Sequence, residues 1–150
     1  MNQWLVIGSS PNAPQAMRRA RLHCSTVITT NRGILIEPTP DYYFLSDNTA
    51  CSLFHAHAQL AQTHGTQLVT LQRSQQALRL RGVSHFDQFI REGHPYEPFQ
   101  MSGLWCVEYA IRSGADAIAL VGCEGYGGSQ DYFGDASQFE KNGDLTKRVI

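Results

Sequence analysis

Along this chain, short apolar runs of strand length alternate with stretches of helical period, and most runs stop at a cluster of Gly, Asn, Asp or Ser. That alternation constrains the fold more than any other feature, because strands joined through helices pair in parallel rather than as hairpins. Residues 3–8 form the first run, stopped by Gly8-Ser9-Ser10-Pro11-Asn12, and residues 13–22 follow as a helix with Pro14 in its first turn. The β-branched residues 25–30 read as a second strand ending at Asn31-Arg32-Gly33, with a small third strand expected over residues 33–37. Tyr42-Tyr43-Phe44-Leu45 ends at the helix-capping cluster Ser46-Asp47-Asn48. Residues 49–63 then carry an amphipathic pattern, with Gly65 where a C-cap belongs.

Residues 66–71 predict another strand, followed by short helices near 75–80 and 85–91 in the most loop-like third of the chain. Residues 101–113, apolar nearly all round, predict a buried helix ended by Gly114, and residues 117–121 predict a final core strand. Glycines at 125, 127, 128, 134 and 143 mark a polar tail. The expectation is one α/β domain: a doubly wound, mainly parallel sheet with helices on both faces in residues 1–126, and a glycine-rich tail, 127–150, belonging to the same domain.

Composition narrows the function classes. A chain of 150 residues, 42% hydrophobic and 17% charged, supports one real core but not two full domains. Twelve Lys and Arg against thirteen Asp and Glu give a net charge of -1, which argues against a protein that coats nucleic acid or an anionic membrane and favours a small ligand. Cysteines at 24, 51, 106 and 123 form no CxxC pair, so buried thiols in a reducing compartment are expected, without a metal site. No apolar run approaches the roughly 20 residues of a membrane span. Met1-Asn2-Gln3-Trp4 lacks the basic and apolar stretches of a signal peptide, so the expected location is cytoplasmic.

In a doubly wound sheet, ligands bind beyond the carboxyl ends of the strands where strand order reverses. The turns that gather there are Gly8–Asn12, Asn31–Gly33, Asp47–Asn48 and Gly122–Gly128. Gly8, Ser9 and Ser10 offer backbone amides and hydroxyls as a phosphate cradle; an ordinary strand-to-helix turn reads the same way. There is no GxGxxG and no GxxxxGK[ST], so neither the dinucleotide fingerprint nor the P-loop is present. Ser102 and Gly103 open the buried helix, either as a plain cap or as a place for a negative group. Asp47 serves equally as a helix cap or as a partner for a ribose hydroxyl. His55, His57 and His64 are misplaced for a shared metal on one helix face and are read as surface histidines. Tyr126, Tyr132 and Phe133 either stack on a ligand or fix the tail to the sheet.

Taken together, the segments Leu5-Val6-Ile7-Gly8-Ser9-Ser10-Pro11-Asn12, Thr30-Asn31-Arg32-Gly33, Ser102-Gly103 through Ile111, and Gly114-Ala115-Asp116 through Gly125-Tyr126 resemble the bacterial family-42 sialyltransferases and a related group that includes archaeal pterin pyrophosphokinases. The resemblance covers residues 3–48 and 100–126. It implies a Rossmann-like nucleotide site in which Gly8, Ser9 and Ser10 approach the phosphate, Asn31 touches the sugar, Ser102 and Gly103 bind at the helix start, and Tyr126 lies at the strand end. Asn12 stands where the family usually has Ser, and Cys123-Glu124-Gly125 replaces an Ile-Asp-Phe portion. Those sialyltransferases carry a catalytic histidine after this motif, whereas this sequence has none after His94. Asp131 and Asp135, with Glu124 nearby in sequence, are then the carboxylates available to deprotonate an acceptor hydroxyl.

Two function classes follow. One is a glycosyltransferase-like, sialyltransferase-like protein, metal-independent, whose partner is a nucleotide or nucleotide-sugar. It needs no further cofactor, nucleic acid or membrane span, and a homo-oligomer is left open. The other is a non-catalytic phage or accessory assembly protein that keeps the fold. A pyrophosphokinase is disfavoured because no carboxylate pair for two magnesium ions is evident.

Overall fold

Six short strands, none longer than five residues, carry the core. In the computed structural model, which describes residues 1–9, 13–90 and 102–123, they are β1 (Gln3–Ile7), β2 (Thr26–Thr30), β3 (Tyr42–Phe44), β4 (Gln67–Leu71), β5 (Gln88–Ile90) and β6 (Ala117–Val121). All pair in parallel in the order β5-β4-β3-β2-β1-β6. The helices are α1 (Ala13–Ala20), α2 (Asn48–Thr63), α3 (Gln75–Arg79) and α4 (Ser102–Arg112). The expected parallel α/β sheet is therefore present.

Strand order explains how the layers are built. Each step from β1 to β5 moves one place in the same direction, and the chain then returns across the whole sheet to lay β6 on the far side of β1. Right-handed crossovers send helices to one face while the chain moves one way and to the opposite face when it reverses. Strand side chains alternate between faces, and the packing follows that alternation. Leu5, Ile7 and Val27 meet Ala16, Met17 and Ala20 of α1. Tyr43, Leu45 and Leu68 meet Ala50, Phe54, Ala58 and Ala61 of α2 and Leu78 of α3. The intervening residues Trp4, Val6, Ile28, Phe44, Val69, Leu71 and Ile90 pack with Trp105, Cys106 and Ala110 of α4.

Four local expectations are corrected. Residues 33–37 do not form a strand: Asn31–Leu35 is a 3-10 turn, with the N–H groups of Ile36 and Glu37 both donating to Gly33 O at 3.1 Å. The segment near 85–91 yields β5 rather than a helix. The Asp87 carboxylate accepts from Leu68 N at 2.6 Å and Gln62 Nε2 at 3.2 Å, pinning that chain beside β4. Helix α4 is not buried all round, since Leu104 and Ile111 are exposed and one stripe, Ser102, Trp105, Cys106 and Ala110, is buried. Finally, among the described residues β6 lies at the edge of the sheet rather than within it, with Leu120 exposed. The Gly65 expectation holds: at φ +95 it follows the last turn of α2, its N–H donating to Gln62 O, while Thr66 N–H reaches back to Ala61 O.

Candidate functional site

The switch in winding direction falls at β1, and the residues beyond its carboxyl end converge there. Gly8 N–H donates to Val121 O at 2.8 Å, tying the end of β1 to the end of β6. A Cβ on Gly8 would run into the Gly122 carbonyl, and one on Gly33 would sit 2.9 Å from Ile7 O. Gly122 has φ +71 and packs against Ala13 and Gly8, and a Cβ on Gly103 would lie 3.2 Å from Cys123 Sγ. Glycines from four chain segments thus let β1, the turn after β2, the start of α4 and the end of β6 approach one another closely.

Polar groups ring this junction. Ser9 is buried and its Oγ accepts the Arg32 N–H at 3.0 Å, so its hydroxyl bridges the ends of β1 and β2. Asn31 holds φ +51, a left-handed backbone that Asn tolerates better than other non-glycine residues. Tyr43 Oη fixes it by donating to Asn31 O at 2.8 Å, and Thr30 Oγ1 donates to Phe44 O at 2.9 Å. Ser102 is buried at the head of α4. Arg32, also buried, places a guanidinium at the end of β2.

One strand further, Asp47 caps α2, its Oδ1 accepting from Ala50 N at 2.7 Å. One side of the residue is open to solvent. Even so, crowding of its carboxylate by protein raises the pKa, against the pull of the Ala50 and Thr49 amides. Burial, with the Asp47 charge beside it, pushes the Cys51 thiol up to about 12. Asp47 also lines a cleft of about 300 Å³ at the carboxyl ends of β3 and β4, together with the polar Ser46, Asn48, Arg73 and Ser74 and the apolar Leu71, Ala77 and Trp105. A wider groove of about 540 Å³ follows Gln15, Ala16 and Arg19 along α1 and ends at Ala20 and His23. It gathers no strand-end residue, whereas the smaller cleft lies at the carboxyl ends of β3 and β4, two strands along from the switch point at β1.

Of the residues singled out from sequence, Gly8, Ser9, Asn31, Ser102 and Gly103 belong to the junction and Asp47 to the neighbouring cleft. Ser10, Tyr126, Asp131 and Asp135 lie outside the described residues, as does the tail. Sequence reasoning missed Arg32, Ser46, Arg73, Ser74 and Trp105 as site residues. The signal for Arg73 and Ser74 was present, since Gln72-Arg73-Ser74 ends β4 as Asn31-Arg32-Gly33 ends β2. Nothing in the pattern of residues singles out the buried Arg32.

Among the described residues, no group of three or more His, Cys, Asp or Glu side chains is placed to hold a metal ion, and no helix is long and apolar enough to cross a membrane. All four cysteines are free. No protein-family model, curated protein or solved structure matches this chain.

Proposed function

We propose that this protein binds a nucleotide or nucleotide-sugar at the carboxyl edge of its sheet and acts as a glycosyltransferase-like protein. The observation that carries this reading is the convergence of Gly8 and Ser9, Asn31, Ser102 and Gly103, and Gly122 beside β1, where winding direction changes. Close-packed glycine backbone and the first turn of an eleven-residue helix suit a phosphate, and Asn31 suits a sugar or base edge.

Transfer would proceed as an acceptor oxygen loses its proton to a carboxylate and bonds to the donor's anomeric carbon, while the bond from that carbon to the nucleotide oxygen breaks. Asp131 and Asp135 are assigned the proton-accepting role. The four free thiols suit a reducing compartment, so the activity is assigned to the cytoplasm.

Calorimetric titration with cytidine, uridine and guanosine nucleotides and their sugar conjugates tests the reading. Dissociation constants between about 1 μM and 1 mM, the range usual for enzyme substrates, are expected for at least one base. They should weaken about tenfold on Ser102→Ala. No binding to any of them at millimolar concentration would end the proposal.

A second reading has its own support. Leu104 and Ile111 of α4 and Leu120 of β6 are 45%, 58% and 57% exposed, and a parallel edge strand with apolar side chains in solvent invites a partner. A non-catalytic assembly protein would self-associate in sedimentation experiments and lose that association on Leu120→Glu, with no nucleotide bound.

A further inference from the structure

The cleft beside the nucleotide junction has a chemistry of its own. Asp47 contributes a carboxylate, Arg73 a guanidinium, Ser46 and Ser74 hydroxyls and Asn48 an amide, and Leu71, Ala77 and Trp105 add apolar surface to the same lining. Ser74 is only 5% exposed and sits within the helical run that leads from the end of β4 through α3, where it lines the cleft.

We infer that this cleft is the subsite for the sugar part of the ligand, an inference that rests on the nucleotide reading above. The Asp47 carboxylate accepts hydrogen bonds from hydroxyls, the Arg73 guanidinium donates to hydroxyl oxygens, and serine and asparagine both give and take them. A lining that mixes such polar groups with Leu71, Ala77 and Trp105 suits a sugar ring, whose hydroxyls lie at its edge and whose C–H groups cover its face. A volume of about 300 Å³ is at the low end for small-molecule sites and suits one ring rather than a whole nucleotide.

Position supports the same division. Trp105 follows Ser102 by one helical turn on the buried stripe of α4, so one helix spans both places. Strands β1 and β4 are three positions apart in the sheet, which sets Ser9 and Ser74 on strand ends roughly 14 Å apart at the usual interstrand spacing. In a nucleotide-sugar the phosphates link the nucleoside to the sugar, so with the phosphates at the junction the sugar would extend toward β4 along that line.

The test compares uridine diphosphate with UDP-glucose, and the guanosine and cytidine counterparts, by calorimetry on the full chain. The sugar conjugate of the preferred base should bind at least tenfold tighter than the bare nucleotide. In Ser74→Ala and in Asn48→Ala that ratio should fall below about threefold; Asn48 is exposed, so its variant reports even if Ser74→Ala folds poorly. Equal affinity for nucleotide and conjugate in the wild type, or an undiminished ratio in both variants, overturns the subsite while leaving nucleotide binding intact. Binding of no nucleotide at all overturns both.

Discussion

Gly8 and Gly122 pack backbone against backbone where β1 and β6 end, so closely that a Cβ on Gly8 would overlap the Gly122 carbonyl. Carbonyl and strand are both held by the Gly8 N–H bond to Val121 O, so neither can retreat without breaking the pairing of β1 with β6.

Gly8→Ala should therefore destabilise the protein by about 1–3 kcal/mol, the usual cost of forcing one extra group into a packed site. At Gly103 the nearest atom to a new Cβ is the Cys123 sulfur at 3.2 Å, a side-chain atom that can shift, so Gly103→Ala should cost less. Urea midpoints measured for both variants check the order. Equal losses would mean that the Gly8 contact relaxes freely.

At Asn31 the left-handed backbone separates a structural effect from a binding effect. Asn31→Ala should cost roughly 1–2 kcal/mol because its Cβ gains no compensating polar contact at φ +51. Asn31→Gly should stay within about 0.5 kcal/mol of wild type, since glycine is at ease there. Under the proposed function, only the glycine variant gives a clean reading: thermal unfolding near wild type with nucleotide affinity reduced several-fold. Full affinity in that variant would remove Asn31 from the site.

Asp87 links stability to pH. Burial acts to raise its pKa, but the Leu68 N–H, Gln62 and His85 together hold it below the ordinary 3.8. A carboxyl with a depressed folded pKa contributes stability that is fully present above 3.8 and is lost as pH falls through the folded value. Urea unfolding followed from pH 7 to pH 2.5 should show a steeper acid loss in wild type than in Asp87→Asn. At pH 7 the variant should be about 1 kcal/mol less stable, on the scale of one ordinary net hydrogen bond. Parallel curves for the two proteins would contradict the assignment.

Thiol chemistry should divide the cysteines. Cys51 is buried with its pKa pushed up to about 12, and Cys106, fully buried, has its pKa raised by burial and by neighbouring Cys123. Because the thiolate is the reactive form, neither should react with a disulfide reagent at pH 8 in the native state, and both should react once denaturant unfolds the chain. Mass mapping of labelled peptides reads this out; native labelling of Cys106 would show that α4 opens away from the sheet.

Sequence patterning carried the fold a long way. Apolar runs at β1, β2, β3 and β4 and the periodic stretch of α2 are local signals, each needing only its own residues to be recognised. The failures share a cause. Gln88–Ile90 is a strand because Asp87 bonds across to Leu68 and Gln62, which lie on other elements. Leu104, Ile111 and Leu120 look like core residues to any periodicity argument, yet α4 turns a single stripe inward and β6 has no described strand on its outer side. At the candidate site the strand-end rule located Gly8, Ser9, Asn31 and Asp47. It passed over Arg73 and Ser74 because the weak pattern after β4 hid the same kind of turn.

Alternation of strand and helix periods, set by backbone geometry, determined from sequence alone that this is a parallel α/β protein. Tertiary structure decided which turns meet. Strand order places β6 beside β1 and brings Gly8, Gly33, Gly103 and Gly122 into one junction, and it gathers Asp47, Ser74 and Trp105 around a shared cleft. Those residues are up to 114 positions apart, and only the packing of the sheet, with glycine admitting the close approaches, brings them together.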